Sequence, residues 1–401
     1  MNRLNVLVVP SWYPSNENPV EGIFFEYQID SLKKKGHNVG IILPPTIINI
    51  KKNNFKSLFK YFEKPIIKTE NRNGNIIYSI SVNGITKIFW IQLLFFNYAC
   101  KKIFKKYLSE NPKPDIIHTH SAIMGGLFSY FIKKKYNISY VLTEQMTHYE
   151  ENKIPLNMFP ILKKVFGNAD SRITVSPQLG KILEEKLGNN VIPWDWIPYS
   201  AEDIFFNSNN HDAGDSGKPK FRFLNIGMMD ENDRKGHEIL LKAFAKKFAG
   251  KNDVELVIIG DGPNRNNLEN ISTNLNISSQ VIFKGILTNE NLANEISKCN
   301  VFVFPSIVET SGVVVVDALA GGKPVVATEC NGPECFITKD NGIIVPKSNP
   351  DLLAEAMESI KNNINDYNPE AIKSDCYNRF SSGVIADKLI NIYNNILSKE
   401  R

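Results

Sequence analysis

Residues 301–324 read VFVFPSIVETSGVVVVDALAGGKP, and from Pro324 the chain continues as PVVATE. The apolar run VFVF has strand length and gives way to a Pro-Ser turn and an acidic loop ending at Gly312. An apolar helical stretch follows, closed by Gly321-Gly322, and then a second apolar run. This order predicts a strand, a loop, a helix and a strand. The first N–H groups of such a helix lack partners inside it and open beside the carboxyl end of the preceding strand. A phosphate is attracted to that position. Two carboxylates, Glu309 and Asp317, bracket it. An ordinary βα unit in which Gly312 merely opens a turn fits the same pattern, so the remainder of the chain has to decide between them.

Working outward, the same alternation recurs along all 401 residues. In the first half it predicts strands at Leu4–Val9, Asn38–Leu43, Asp115–His118, Tyr140–Thr143 and Arg172–Val175. A helix is expected at Ile23–Lys35, and another opening at Gly125-Gly126. The loop after the first strand, PSWYPSNENPVEG, is long and proline-rich, which suits a cleft lining better than a minimal turn. Residues 207–220 are polar and glycine-rich and read as a surface linker. Beyond them strands are expected at Phe223–Ile226, Glu255–Ile259, Gln280–Phe283 and Gly342–Val345, with a helix at Glu238–Phe248. A last amphipathic helix runs over Val384–Leu397. The layout is that of an α/β protein with two doubly wound domains, at 1–205 and 206–383. A single compact core does not grow to this length.

Composition narrows the function. The net charge of +5 makes no demand for nucleic acid, and 42% hydrophobic residues is ordinary for a globular chain. Five cysteines, an odd number, argue for a reducing compartment rather than a disulfide framework. Cys330 and Cys335 lack a second pair at zinc spacing. Apolar block Ile88–Cys100 falls short of the roughly 20 residues that cross a bilayer. A cytoplasmic location is therefore expected. Residues 51–68 and 87–107 are Lys-rich with almost no acid. Read as helices with Phe, Leu and Trp opposite the lysines, they either rest on an anionic membrane face or pack on their own sheet with a solvated basic side.

There is no G-x-G-x-x-G after the first strand and no P-loop, which counts against dinucleotide and P-loop chemistry. What the second half offers is a set of strand-end loops. Residues 227–236 (GMMDENDRKG) carry Arg234 and Lys235 just before a helix, and residues 260–263, 284–286 and 309–317 complete the set. Cations and helix N-termini suit a diphosphate, one carboxylate suits ribose hydroxyls, and another a sugar. Arg234 and Lys235 also fit a solvated charge pair at a helix entry.

The run PSIVETSGVVVVDALAGGKPVVATECNGPECF, followed by NGIIVP, resembles the signature of family 4 glycosyltransferases. Similarity extends through NVLVVPSWYP, NPVEGIFFEYQIDSLKKKGHNV, DIIHTH, LTEQ, ADSRITVS, GDGPNRNNLE and NRFSSGVIADKLINIY. The resemblance implies the GT-B fold: two Rossmann-like domains facing a central cleft, with the C-terminal helix (384–401) packed back on the first. It implies retaining transfer from a UDP- or GDP-linked sugar to a glycan or lipid-linked acceptor in surface polysaccharide or glycolipid assembly. No metal or other cofactor is implied. By matching position, Glu309 would bind donor-sugar hydroxyls and Asp317 the ribose. Ser311, Gly312, Val313 and Val314 would offer N–H groups to the phosphates, with Gly227 and Gly260 lining the donor side. Lys235, with Arg234, would stabilise charge on the departing diphosphate. Gly22 would approach that diphosphate from the first domain, and Ile286 would contact the base. His118 or His120 would meet the sugar, and Glu144 would lie nearer the acceptor.

Three positions depart from the family pattern. Asp317 stands where a glutamate is usual, Met228 where an arginine follows Gly227, and Pro198-Tyr199 where Pro-Asn is usual. Two other readings therefore stay open. One is a nucleotide-binding partner subunit without turnover, and the other is a GT-B-fold sugar-nucleotide 2-epimerase.

Overall fold

The computed structural model describes residues 3–15, 18, 20–49, 65–84, 89–188, 193–207 and 220–399. The chain divides into two compact units. The first comprises Met1–Val175, Gly180–Ile197 and Ala386–Arg401, and the second Ser176–Leu179 and Pro198–Ile385. The division thus falls at Ile197/Pro198 and again inside the last helix, Ser382–Lys399. Residues 208–219, most of the expected linker, lie outside the described residues.

The first unit is built on a nine-stranded sheet. Its strands are β1 (Asn5–Pro10), β2 (Asn38–Ile42), β3 (Thr46–Asn49), β4 (Ile66–Arg72), β5 (Asn75–Gly84), β6 (Ile116–His120), β7 (Tyr140–Glu144), β8 (Ser171–Thr174) and β9 (Asp195–Trp196). The order is β3-β5-β2-β1-β6-β7-β8-β9, with β4 on the far edge of β5. Every pairing is parallel except β4 with β5. Strands β1, β6 and β7 are covered on both faces, so they read as unbroken apolar runs rather than alternating ones. The β4–β5 hairpin was not anticipated, although Asn73-Gly74 signals it. Both residues take the left-handed conformation (φ 51° and 78°), as a two-residue hairpin turn requires. The register Arg72↔Asn75 closes directly on that turn.

This hairpin corrects the reading of residues 51–68. Ile66, Ile67 and Lys68 are strand, not helix, and residues 51–64 lie outside the described residues. The second basic stretch does form a helix, Phe89–Leu108. Another difference follows β6, where Ser121–Gly126 form a π turn before the helix Leu127–Tyr136 begins.

The second unit carries a six-stranded parallel sheet ordered β12-β11-β10-β13-β14-β15. These strands are β10 (Phe221–Ile226), β11 (Val254–Ile259), β12 (Val281–Phe283), β13 (Val301–Phe304), β14 (Val325–Thr328) and β15 (Gly342–Val345). Two cores sandwich it. Phe302, Phe304, Val315 and Leu319 belong to one, and Phe223, Phe244, Leu256 and Met357 to the other. Alternate residues of β13 thus serve opposite cores, which the period of two dictates. Strand order reverses between β10 and β13 here and between β1 and β6 in the first unit. Loops leaving the carboxyl ends at such a reversal splay apart, and a ligand crevice opens between them. The last helix buries Ile385, Leu389 and Tyr393 on one face. Each such burial contributes about 1.5–3 kcal/mol.

All five cysteines are free thiols, four of them buried. Among the described residues no helix is long and apolar enough to cross a membrane.

Candidate functional site

In the second unit the reversal lies between β10 and β13, and the two loops leaving it hold most of the anticipated donor-side residues. Backbone packs on backbone here. Gly236 has φ 70°, and a Cβ on it would lie 2.0 Å from the carbonyl oxygen of Pro305. At Gly260 (φ 134°) a Cβ would lie 1.9 Å from the carbonyl oxygen of Gly227. Only glycine permits either approach. The loops are thereby drawn together, and Lys235 Nζ donates to Glu309 Oε2 at 2.5 Å. The other Glu309 oxygen accepts the N–H of Thr310 at 3.0 Å. Burial by itself would raise the Glu309 pKa. The Lys235 ammonium and the N–H groups of Thr310 and Ser311 more than reverse that, and they hold the carboxyl below its usual range.

Three residues beyond Glu309, Gly312 turns into the left-handed region (φ 83°) and starts the helix Val313–Ala320. No side chain caps this helix start. The helix after Gly236 differs, because Asp233 accepts the N–H groups of His237 and Glu238, each at 2.9 Å. Of the two helix N-termini expected to serve an anion, the one at His237 is therefore already filled from within, and the one at Val313 is open. Ser311 Oγ, just before it, is buried without a hydrogen-bond partner among the described residues. A buried hydroxyl with no partner is costly, and a ligand oxygen would relieve that cost.

The remaining donor-side positions sit around this pair of loops. Gly260 N donates to Gly285 O at 2.8 Å, which ties the end of β11 to the residue before the exposed Ile286. Arg234 is partly exposed and pairs with Asp230 at 3.3 Å, a weak contact from which its guanidinium can be recruited. Met228 presents an exposed apolar side chain where the family carries an arginine. Asp317 is buried on the helix Val313–Ala320. Burial, reinforced by the Glu202 carboxylate, pushes its pKa well above the usual carboxylate range. A neutral carboxyl can donate as well as accept a hydrogen bond.

In the first unit His120 ends β6, Glu144 ends β7 and Gly22 follows on the loop after β1, while His118 lies mid-strand in β6, level with Val8 and Val141. Gly22 (φ 73°) precedes the helix Ile23–Lys34, and a Cβ there would press on Trp12 and Phe25 at 2.9 and 3.0 Å. Phe25 in turn lies 4.6 Å from the His120 ring, centroid to centroid, and His120 stacks on His118 at 4.4 Å. His118 is fully buried, and both its ring nitrogens are occupied. Nδ1 meets the Tyr393 hydroxyl at 2.6 Å, and Nε2 meets Thr143 Oγ1 at 2.8 Å. Burial pushes its pKa down to about 3, so it is neutral. Of the two histidines left open above, His118 is thus committed to internal bonds and supports its neighbour.

Glu144 is likewise corrected. Its carboxylate is buried and spent on backbone donors, with Oε2 accepting from Ala122 N at 2.9 Å and Oε1 from Gln145 N at 2.9 Å and Met146 N at 3.1 Å. It clamps the π turn, whose first residue, Ser121, is held at φ 63°. Strain of this kind persists only where neighbours enforce it.

Four residues that matter here were not singled out in the sequence. Ser11 ties the loop after β1 to the turn after β6, donating to His120 O at 2.6 Å and accepting from Gly125 N at 3.0 Å. Asp233 caps a helix, Tyr393 pins His118, and Glu202 perturbs Asp317. Only Asp233 had a local signal, as an aspartate shortly before a helix start. The others act across long sequence separations. Among the described residues no group of three or more His, Cys, Asp or Glu could hold a metal ion.

Comparison with known proteins agrees with both halves of this arrangement. The family model for glycosyltransferase family 4 matches residues 24–197, and that for glycosyl transferases group 1 matches residues 207–372. A putative teichuronic acid biosynthesis glycosyltransferase of Bacillus subtilis is 24% identical over 367 residues, covering 88% of each chain. Among solved structures, sucrose-phosphate synthase from Thermosynechococcus elongatus superposes with a TM-score of 0.75 at 20% identity, over 99% of this chain and 100% of its own. Anabaena HepE in complex with UDP and glucose gives 0.72 at 15% identity, over 97% and 99%.

Proposed function

From the premise that the chain belongs to the group 1 glycosyltransferases of family 4 and has their GT-B fold, we propose that it moves a sugar from a nucleoside-diphosphate donor to a hydroxyl of a glycan or lipid-linked acceptor, with retention at the anomeric carbon. One observation carries this reading. An uncapped helix start at Val313 follows within four residues of a carboxylate that is itself paired to a lysine from the neighbouring loop. Backbone N–H groups there suit the diphosphate, and the Lys235 ammonium suits the charge that grows on it as the bond to the sugar breaks. Glu309, kept ionised by the same lysine, is available to sugar hydroxyls. Asp317, kept protonated, can donate to a ribose oxygen, and the shorter side chain is compatible with a water between them.

In this mechanism the acceptor oxygen bonds to the anomeric carbon on the face from which the diphosphate departs. The bond from that carbon to the phosphate oxygen breaks, and the acceptor's proton passes to the departing phosphate. No protein nucleophile and no metal takes part. The work would be done at the inner face of the cell membrane in surface polysaccharide or glycolipid assembly.

Met228 and the protonated Asp317 favour one second reading, a nucleotide-binding subunit without turnover. A melting panel of UDP, GDP and their sugars, followed by donor hydrolysis, separates the two. Ligand binding raises the apparent stability by mass action. A shift with one nucleotide class and slow release of that nucleotide from its sugar supports transfer. Tight binding with no release on any donor supports the subunit reading, and no shift with any nucleotide overturns both.

A further inference from the structure

The parallel strands of the first sheet give it an amino edge, opposite the carboxyl edge that bears His120. A cavity of about 710 Å³ opens at that amino edge. Strands β1 and β2 begin in it with Asn5 and Asn38. Lys33 reaches it from the last turn of the helix Ile23–Lys34, and Tyr107 from the end of the helix Phe89–Leu108. The length of β1, from Asn5 to Pro10 beside His120, puts about 16 Å between the two edges. This cavity is therefore separate from the strand-end loops described above.

Its charge is one-sided. The described lining residues include two cations, Arg3 and Lys33, and no acid. Both cations rest on neutral amides, the Arg3 guanidinium donating to Asn38 Oδ1 and the Lys33 ammonium to Asn75 Oδ1. An amide oxygen leaves their charge uncompensated. Carboxylates of the neighbouring turns are engaged elsewhere. Asp115 Oδ2 accepts the N–H of Asn5 at 2.7 Å, and Glu110 accepts from Lys106 and from the Tyr78 hydroxyl. Asp30, one turn before Lys33, attracts it but forms no ion pair among the described residues.

Two lining side chains are more than nine-tenths buried yet keep a polar atom without a partner among the described residues. His37 is 6% exposed, and its Nδ1 accepts the N–H of Leu4 at 3.1 Å. The ring proton is thereby placed on Nε2, which has nothing to donate to. Burial lowers the His37 pKa and so favours this neutral donor. Tyr107 is 4% exposed, and a Cβ at Gly40 would lie 2.2 Å from its hydroxyl oxygen, so glycine there is what seats the phenol over β2. Burial pushes its pKa up to about 12, and it stays a hydroxyl. Beside it Asn111 spends Nδ2 on the Tyr78 hydroxyl at 2.8 Å and on Tyr107 O at 3.1 Å, which leaves Oδ1 as an acceptor. Buried polar groups without partners are costly, and ligand atoms would relieve that cost.

We propose that this cavity binds a phosphate monoester of a small polyol, with the phosphate held by Arg3, Lys33 and His37 Nε2 and the hydroxyls by Tyr107 and Asn111 Oδ1. Uncompensated cations beside a neutral N–H donor call for a compact anion rich in acceptor oxygens, which phosphate is. Tyr107 and Asn111 Oδ1 call for hydroxyls next to it. Sites for small molecules occupy about 300–1,000 Å³, so this volume leaves room beyond the phosphate. The inference does not depend on sugar transfer, whose donor-side loops lie in the second unit.

Titration calorimetry of the full chain with ribose 5-phosphate, inorganic phosphate and ribose tests it without any sugar nucleotide. Ribose 5-phosphate is expected to bind more tightly than inorganic phosphate, with ribose silent and affinity falling as salt is added. Arg3→Gln with Lys33→Gln should weaken the ester at least about tenfold at an unchanged melting temperature, and Tyr107→Phe should weaken it about fivefold. The tyrosine variant keeps the test valid should the double variant fail to fold. Lys235→Ala should leave the affinity as it is. Absence of ester binding, or an affinity unchanged in both cavity variants, overturns the proposal. Binding that survives in those variants but is lost in Lys235→Ala assigns the ester to the donor-side loops and overturns it equally. Inorganic phosphate binding as tightly as the ester refutes the role given to Tyr107 and Asn111.

Discussion

Replacing Lys235 with alanine removes the cation that holds Glu309 ionised, and the consequence has a pH signature. The two side chains are 28% and 15% exposed, and the carboxylate left behind keeps its burial. Breaking a fully buried pair by removing one partner costs about 3–5 kcal/mol, and discounting for this partial exposure leaves about 2 kcal/mol at pH 7. For a unit of this size that is a fall in melting temperature of about 4–8 °C. In the parent protein the Glu309 pKa is lowered relative to the unfolded chain. Its contribution is therefore present above the unfolded value, about 4.3, and is lost as pH falls through the lower, folded one. In Lys235→Ala burial is opposed only by the N–H groups of Thr310 and Ser311, so the carboxyl rises and the variant carries a penalty at neutral pH that acidification relieves. The gap between the two proteins should be widest near pH 7–8 and narrow toward about pH 4. Scanning calorimetry over that range, with Lys235→Met as a control that keeps the side chain's apolar length, reads it directly. A variant that melts within about 1 °C of the parent at pH 7, or a gap that does not change with pH, refutes the assignment of Lys235 as the group that keeps Glu309 charged. Nucleotide release from the donor should fall by about 100-fold or more in the same variant, since one preorganised electrostatic contact is worth that much.

Two further outcomes follow from the buried acid and the buried histidine. Asp317 has a raised pKa in the folded state, so it costs stability as pH rises from its unfolded value, about 3.9, through the folded one. Asp317→Asn should therefore gain about 1 kcal/mol at pH 8, flatten that slope and weaken nucleotide binding. A melting curve as pH-dependent as the parent's would show that Asp317 is not the titrating group. Tyr393→Phe should cost about 1–3 kcal/mol, because it leaves His118 Nδ1 buried without its partner. An unchanged urea midpoint would show that the contact is energetically idle.

Much of the fold was legible in the sequence, and the reasons are local. Strands buried on both faces must be continuous apolar runs, which is why β1, β6, β7, β10, β11 and β13 could be read within a residue or two. The β4–β5 hairpin was equally legible through Asn73-Gly74 and went unread, because the surrounding lysines suggested an amphipathic helix. Glu309, Gly312 and Lys235 could be singled out because each sits on a loop after a strand, and a parallel sheet exposes its ligands there. Asp233 shows the limit of that argument, since only the folded loop reveals that one of two helix starts is already occupied.

The sequence alone determined the two-unit α/β architecture and the family, because periodicity, glycine positions and a dense motif lie within short stretches of chain. Tertiary structure decided which of those residues are free to act. His118 is separated from Tyr393 by 275 positions and Glu144 from Ala122 by 22, yet these contacts turn an anticipated sugar-binding histidine and an anticipated acceptor contact into supports. It also set opposite pKa shifts on the two acids bracketing Gly312. A lysine from another loop holds the Glu309 carboxyl below its usual range, and burial near Glu202 pushes Asp317 above it. Side-chain identity prescribes neither shift. Burial and the charge of distant neighbours do, and both exist only once the chain has folded.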